Sequence, residues 1–193
     1  MTRGLLIVDV QNDFTEGGAL ACSGGGQVAR DISEHLRRYG DDYACVVASR
    51  DWHNAEGDNG GHFAATPDFV DSWPVHCVAG TEGAEFHPDL DTTALTAEVR
   101  KGQGKPDYSA FQGVDEQQRS LLEVLREADV HELDIVGIAT DHCVRASALA
   151  ALSLGFKVRV LSDLCAGVAP ESSAAALDEL EEAGAEIEYV GVA

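Results

Sequence analysis

Short runs rich in Val, Ile and Leu alternate along this chain with stretches of helical periodicity, and that alternation restricts the fold more than any other feature. The apolar runs fall at residues 5–10, 44–49, 95–99, 133–138, 157–161 and 186–190. Most are bounded by Gly, Asp or Ser, as strands buried on both faces should be. Helical patterns occupy roughly 27–39, 116–128, 143–154 and 171–183. Gly155 and Gly184 stand where helix ends favour a left-handed residue, and Pro170 suits a first helical turn. This succession predicts an α/β fold: a three-layer α/β/α sandwich around a six-stranded, mostly parallel sheet. At 193 residues the chain is the size of one domain, taken as 1–193. Two stretches, about 50–94 and 101–114, lack periodicity, and loops that long usually serve a function.

In such sheets ligands bind beyond the carboxyl ends of the strands. Asp9 ends the first run, Asp51 and His53 follow the second, Lys101 follows the third and Cys143 the fourth. Five chemically capable side chains from distant parts of the chain would therefore meet along one edge. Cys143 sits where the strand of IVGIATDHCVRASALAAL gives way to a helix. A helix N-terminus favours a thiolate, which makes Cys143 a candidate nucleophile. The competing reading is a small packed hydrophobe. The adjacent His142 is a poor base for the thiol, because neighbouring side chains diverge.

The segment SRDWHNAEGDNGGHF places Asp51 two residues before His53, followed by His62; SWPVHC then adds His76. Carboxylate and imidazole ligands suit Zn, Fe or Mn, so these four residues form a candidate site for one divalent metal ion. Alone, the Asp-x-His spacing is more often a capped turn with a surface histidine. The stretch GGGQVA, 24–29, fits a dinucleotide-binding pattern before a helix, but some fourteen residues separate it from the first strand, where that turn belongs. A flexible glycine loop is the better reading.

Composition excludes several classes. Net charge is −21, from 34 acidic against 13 basic residues, a surface that repels nucleic acid and anionic membranes. Either a high-salt source or an ordinary cytoplasm accommodates such acidity. No apolar run approaches a membrane span and no signal peptide is evident, so a cytoplasmic location is expected. The five cysteines form no CxxC pair and are odd in number, which argues against a disulfide framework. Cys22, Cys45 and Cys165 read as packed or loop residues. Cys77 follows His76 in the chain and should point away from it.

Taken together, LLIVDVQNDFTEGGAL, SRDWH, WPVHCVAGTEGAEFHP, RKGQGKPDYSAF and GIATDHCVRASALAALSLGFKVRVLSD resemble the nicotinamidase (pyrazinamidase) branch of the isochorismatase-like cysteine hydrolases. The resemblance runs from Leu5 to about Gly167. It implies a Cys–Asp–Lys triad of Cys143, Asp9 and Lys101, with Asp9 taking the thiol proton and Lys105 as the local competitor of Lys101. It further implies an oxyanion hole from the backbone N–H groups of Ala139 and Cys143, with a cis peptide at Ile138–Ala139. The metal would rest on Asp51, His53 and His76, with His62 a ligand in some members, and would hold the pyridine nitrogen of the substrate. Phe14, Trp73 and Tyr108 match the aromatic residues beside the ring; core packing is the alternative, above all for Phe14. Cys22 replaces the aliphatic residue usual at its position.

The activity implied is hydrolysis of nicotinamide, and of pyrazinamide, through a thioester on Cys143, in NAD salvage. The expected partner is this small-molecule substrate, with no nucleic acid or membrane and with room for a homo-oligomer. Rivals are an isochorismatase, another cysteine amidase, or a metallohydrolase whose metal-bound water attacks while Cys143 only packs.

Overall fold

The computed structural model describes residues 2–191. Six strands, β1 (Arg3–Val8), β2 (Cys45–Asp51), β3 (Ala97–Lys101), β4 (Glu132–Ile138), β5 (Lys157–Ala166) and β6 (Glu186–Glu188), form one sheet in the order β3-β2-β1-β4-β5-β6. Every pairing between them is parallel. The helices are α1 (Gly25–Tyr39), α2 (Leu121–Glu127), α3 (Arg145–Ser153) and α4 (Pro170–Glu182). None of the described helices is long and apolar enough to cross a membrane.

Side-chain alternation in the strands divides the core between two faces. Leu5, Ile7, Val46 and Ala48 pack against Val28, Ala29, Ile32 and Leu36 of α1. Leu6, Val8, Val47 and Val99 pack against Leu121, Leu125, Ala148 and Leu180 of the other three helices. This is the expected three-layer sandwich, with a sheet that is parallel throughout.

Element boundaries differ from the expected ones in informative places. α2 starts at Leu121, not near 116, because Asp115 Oδ1 accepts the N–H groups of Gln117 and Arg119 and closes a turn there. Ser120 and Glu123 then form a capping box that opens the helix. β2 and β3 run two residues further than their apolar patterns, ending on Asp51 and Lys101, which are register partners. The helix expected from Cys143 is a π-type turn, Thr140–Val144, that leads into α3. β5 continues to Ala166 through a register shift opposite β4.

The strand order reverses direction at β1 and β4: the chain moves outward from β1 toward β3, then returns to β4 on the other side. Crevices form at such a reversal, outside the carboxyl ends of the strands. Asp9 leaves β1 there, and Ala139 leaves β4.

Candidate active site and metal centre

Lys101 ends β3 and is 1% exposed, an ammonium with no route to bulk water. Its Nζ lies 2.9 Å from Asp9 Oδ2, 3.6 Å from Cys143 Sγ, and in close contact with Asp51 Oδ1. A buried cation persists only where anions surround it. Asp51 stands beside Lys101 through the β2–β3 register. Asp9 gets there differently. Strict alternation would send it to the α1 face with Leu5 and Ile7, but its left-handed φ of 47° turns the chain. Ser49 Oγ, two residues before the end of β2, donates to Asp9 Oδ1 at 2.6 Å. Ser49 was not singled out from the sequence; a lone serine inside the buried CVVAS run was the available signal.

Asp9 Oδ2 touches Lys101 only as an ion pair and accepts no well-aligned hydrogen bond, so a lone pair on it is free. One oxygen each from Asp9 and Asp51 and the sulfur of Cys143 all lie within 4.8 Å of one another. Burial raises the Asp9 carboxyl above its ordinary value against the pull of Lys101. Burial would raise Asp51 too, but Lys101 first, and then the neighbouring His53 and His76, hold it well below that value. For Lys101, burial acts to lower the pKa, and Asp51, Asp9 and Cys143 override it, keeping the ammonium charged.

The Cys143 thiol is pushed well above its ordinary value, first by burial and then by the two carboxylates, against the pull of Lys101. The helix start favours a thiolate, and burial outweighs it. A dipole contributes about 0.3–1 kcal/mol, and desolvation of a fully buried sulfur is larger. Burial thus favours the protonated form, and a carboxylate acceptor lies within 4.8 Å of the sulfur.

Three histidines come together on the other side of Asp51. The ring nitrogens of His53, His62 and His76 lie within 4.8 Å of one another, all three residues buried. His53 Nδ1 contacts Gly102 O at 2.8 Å and His76 Nδ1 contacts Pro74 O at 2.8 Å. These contacts place the proton on Nδ1 and leave each Nε2 lone pair facing inward, the arrangement of a ligand held by its outer neighbours. Asp51 Oδ2 lies 3.5 Å from His53 Nε2 and 3.7 Å from His76 Nε2. His53 Nε2 and His62 Nδ1 are buried without a hydrogen-bond partner, which is costly unless something else takes up the lone pair. Burial is the largest cause pushing His62 down to about 4. Three imidazoles and a carboxylate with uncommitted lone pairs fit a divalent metal ion.

Both groups open into a cavity of about 640 Å3. Asp51, His62, His76, Ala139 and Cys143 line it, as do Phe14, Trp73 and Tyr108. Trp73 Nε1 donates to Tyr108 O–H at 2.9 Å, and the Phe14 ring lies 5.5 Å from that of His76. The Ile138–Ala139 peptide bond is cis. Among the described residues the Ala139 N–H donates to no backbone or side-chain acceptor. Lys105 is exposed in a loop, and Cys77 turns its sulfur toward Gly83 O, 3.8 Å away. The glycine run before α1 is closed by the chain itself: Glu16 accepts from Gly24 N at 2.6 Å and Gly26 N at 2.9 Å.

This chain is 52% identical over 185 residues to the nicotinamidase/pyrazinamidase of Mycobacterium tuberculosis, covering 96% of this chain and 97% of that protein. It is 41% identical to the nicotinamidase of Escherichia coli, covering 95% and 92%. Among solved structures, the pyrazinamidase of Pyrococcus horikoshii in complex with zinc superposes with a TM-score of 0.81 at 37% identity, covering 98% of this chain and 99% of that one. The PnC1 protein of L. infantum in complex with nicotinate gives 0.82 at 32% identity, covering 97% and 92%. With the isochorismatase domain matching residues 3–189, the chain belongs to the isochorismatase family.

Proposed function

We propose that this protein hydrolyses nicotinamide to nicotinate and ammonia, and pyrazinamide likewise, through a thioester on Cys143. The observation that carries the reading is Lys101 Nζ lying against Asp9, Asp51 and Cys143, of which Asp51 and Cys143 line the same cavity as His62 and His76. The names of the M. tuberculosis and E. coli relatives, and the nicotinate in the L. infantum complex, support the substrate.

The chain's residues divide the work. Asp9 takes the thiol proton as sulfur attacks the carboxamide carbon, and Lys101 stabilises the sulfur anion as it forms. The Ala139 and Cys143 amides receive the oxyanion; losing one such donor typically costs about 10²–10³ in rate. Asp9 returns its proton to the nitrogen, the C–N bond breaks and ammonia leaves. Water, deprotonated by Asp9, then cleaves the thioester, and the thiol is restored. Phe14, Trp73 and Tyr108 border the ring.

Asp51, His53 and His76, with His62 as a fourth ligand, would hold one divalent ion, Zn, Fe or Mn; the zinc in the P. horikoshii complex supports this. When bound, the ion supplies an acceptor for the pyridine nitrogen, directly or through water. The reaction would belong to cytoplasmic NAD salvage.

The test is ammonia release from nicotinamide by wild type and by Cys143→Ala, with mass spectrometry of the quenched wild-type reaction. The variant should be inactive yet still bind nicotinamide, and wild type should carry a nicotinoyl adduct on the Cys143 peptide. Retention of more than a few per cent of activity by Cys143→Ala would instead favour attack by metal-bound water.

A further inference from the structure

Two of the histidines sit on segments with little regular structure around them: His53 just beyond β2, and His76 within the long connection to β3. Their mutual placement therefore needs a fastening from elsewhere, and Asp13 supplies one. Asp13 Oδ2 accepts the N–H of Cys77, the residue after His76, at 2.7 Å. Its Oδ1 accepts Ala19 N–H at 3.3 Å. Cys77 holds a left-handed φ of 44°, unfavourable for a residue with a side chain, so this turn needs external support. The same residue receives the other histidine: Cys77 O accepts His53 N–H at 3.0 Å, and Ala79 N–H donates to His53 O at 2.9 Å. One carboxylate thus secures the turn that carries His76 and docks His53.

The surroundings are shaped to admit that carboxylate. A Cβ added at Gly83 would stand 2.2 Å from Asp13 Oδ2, so the turn over it closes only with glycine there. Asp13 lies outside the cavity lining, and its side chain bonds Ala19 N–H and Cys77 N–H. It is four residues beyond Asp9 in the DVQNDF segment, so a single stretch of chain carries the base and fastens the histidines.

We propose that Asp13 is a positioning residue for the metal centre, setting the separation of His53 and His76 through the Cys77 turn. The inference rests on the metal reading above. Its test is the affinity of wild type, Asp13→Ala, Asp13→Asn and Gly83→Ala for Zn2+ and Co2+, by competition with a chromophoric chelator. Melting of each protein in EDTA is measured alongside. Loss of a group that orients a ligand typically weakens metal binding about 10–100-fold, and that is expected for Asp13→Ala. Gly83→Ala, which displaces the carboxylate without removing it, should show the same loss. Asp13→Asn keeps an oxygen able to accept from Cys77 and should recover most of the affinity.

Wild-type affinity in a cooperatively melting Asp13→Ala would overturn the inference and leave the metal reading standing. Should that variant not fold, wild-type affinity in Gly83→Ala would overturn it equally. A wild-type protein that binds neither ion would overturn the metal reading and this inference with it.

Discussion

Lys101 is the residue whose environment most limits what this site can be. Its side chain is fully buried, and its three neighbours are two carboxylates and a thiol. A purely structural cation would be costly here, since replacing a buried ion pair by apolar groups is often neutral or stabilising. Asp9→Asn should therefore lower kcat by about 10²–10⁴ with a much smaller change in KM, because Asp9 meets the sulfur and not the ring. Lys101→Ala should do the same and also destabilise the fold by about 3–5 kcal/mol, because it leaves two buried carboxylates without a counter-charge. Steady-state kinetics on nicotinamide and urea denaturation measure the two effects separately. A variant that chiefly raised KM would belong to substrate binding instead.

The histidine cluster gives a second prediction at this scale. If the ion binds the ring nitrogen, benzamide, which lacks it, should turn over far more slowly than nicotinamide in the same aromatic slot. Removing the metal, or His53→Ala, should erase most of that preference. A metal-free enzyme that kept the original ratio would leave specificity to Phe14, Trp73 and Tyr108 alone.

At the scale of elements, the site depends on how closely β1 and β4 approach. Gly137 on β4 has φ 119°, and a Cβ there would lie 2.1 Å from Val8 O, one residue before Asp9. Gly137→Ala would have to push apart the two strands that flank the crevice. Left-handed strain alone costs about 1–2 kcal/mol, and a backbone clash adds to it, so a total loss of about 3 kcal/mol or more is expected in urea denaturation. Loss of activity should accompany it, because Asp9 and the Ala139 amide would separate together. A variant as stable as wild type would mean that the strands can part freely, and the crevice geometry would then have to be maintained elsewhere.

For the whole molecule the dominant quantity is charge. At −21 the folded chain repels itself, and ion pairs such as Arg145–Glu179 and Arg159–Asp134 offset only part of that. Screening shortens from about 10 Å at 0.1 M salt to about 3 Å at 1 M. The melting temperature should accordingly rise between 0.1 M and 1 M NaCl, in a thermal scan at neutral pH. A flat or falling response would show that attractive surface pairs balance the repulsion.

Sequence by itself determined the layering and named the residues that the fold brings together. Continuous apolar runs and helical stripes are local signals, and the α/β/α order follows from them because each apolar face must be covered. Asp9, Asp51, Lys101 and Cys143 were legible as strand-end chemistry, and the histidines as a cluster in an aperiodic loop. Tertiary structure decided what no local pattern encodes. The β2–β3 register sets Asp51 against Lys101, the left-handed turn at Asp9 swings its carboxylate to the opposite face, and burial pushes the Cys143 thiol up. Ser49 and Asp13 escaped notice for the same reason: each acts on a residue at least 40 positions away, through one hydrogen bond that exists only once the chain has folded. Composition and periodicity are properties of neighbours in sequence, whereas desolvation and register are properties of neighbours in space.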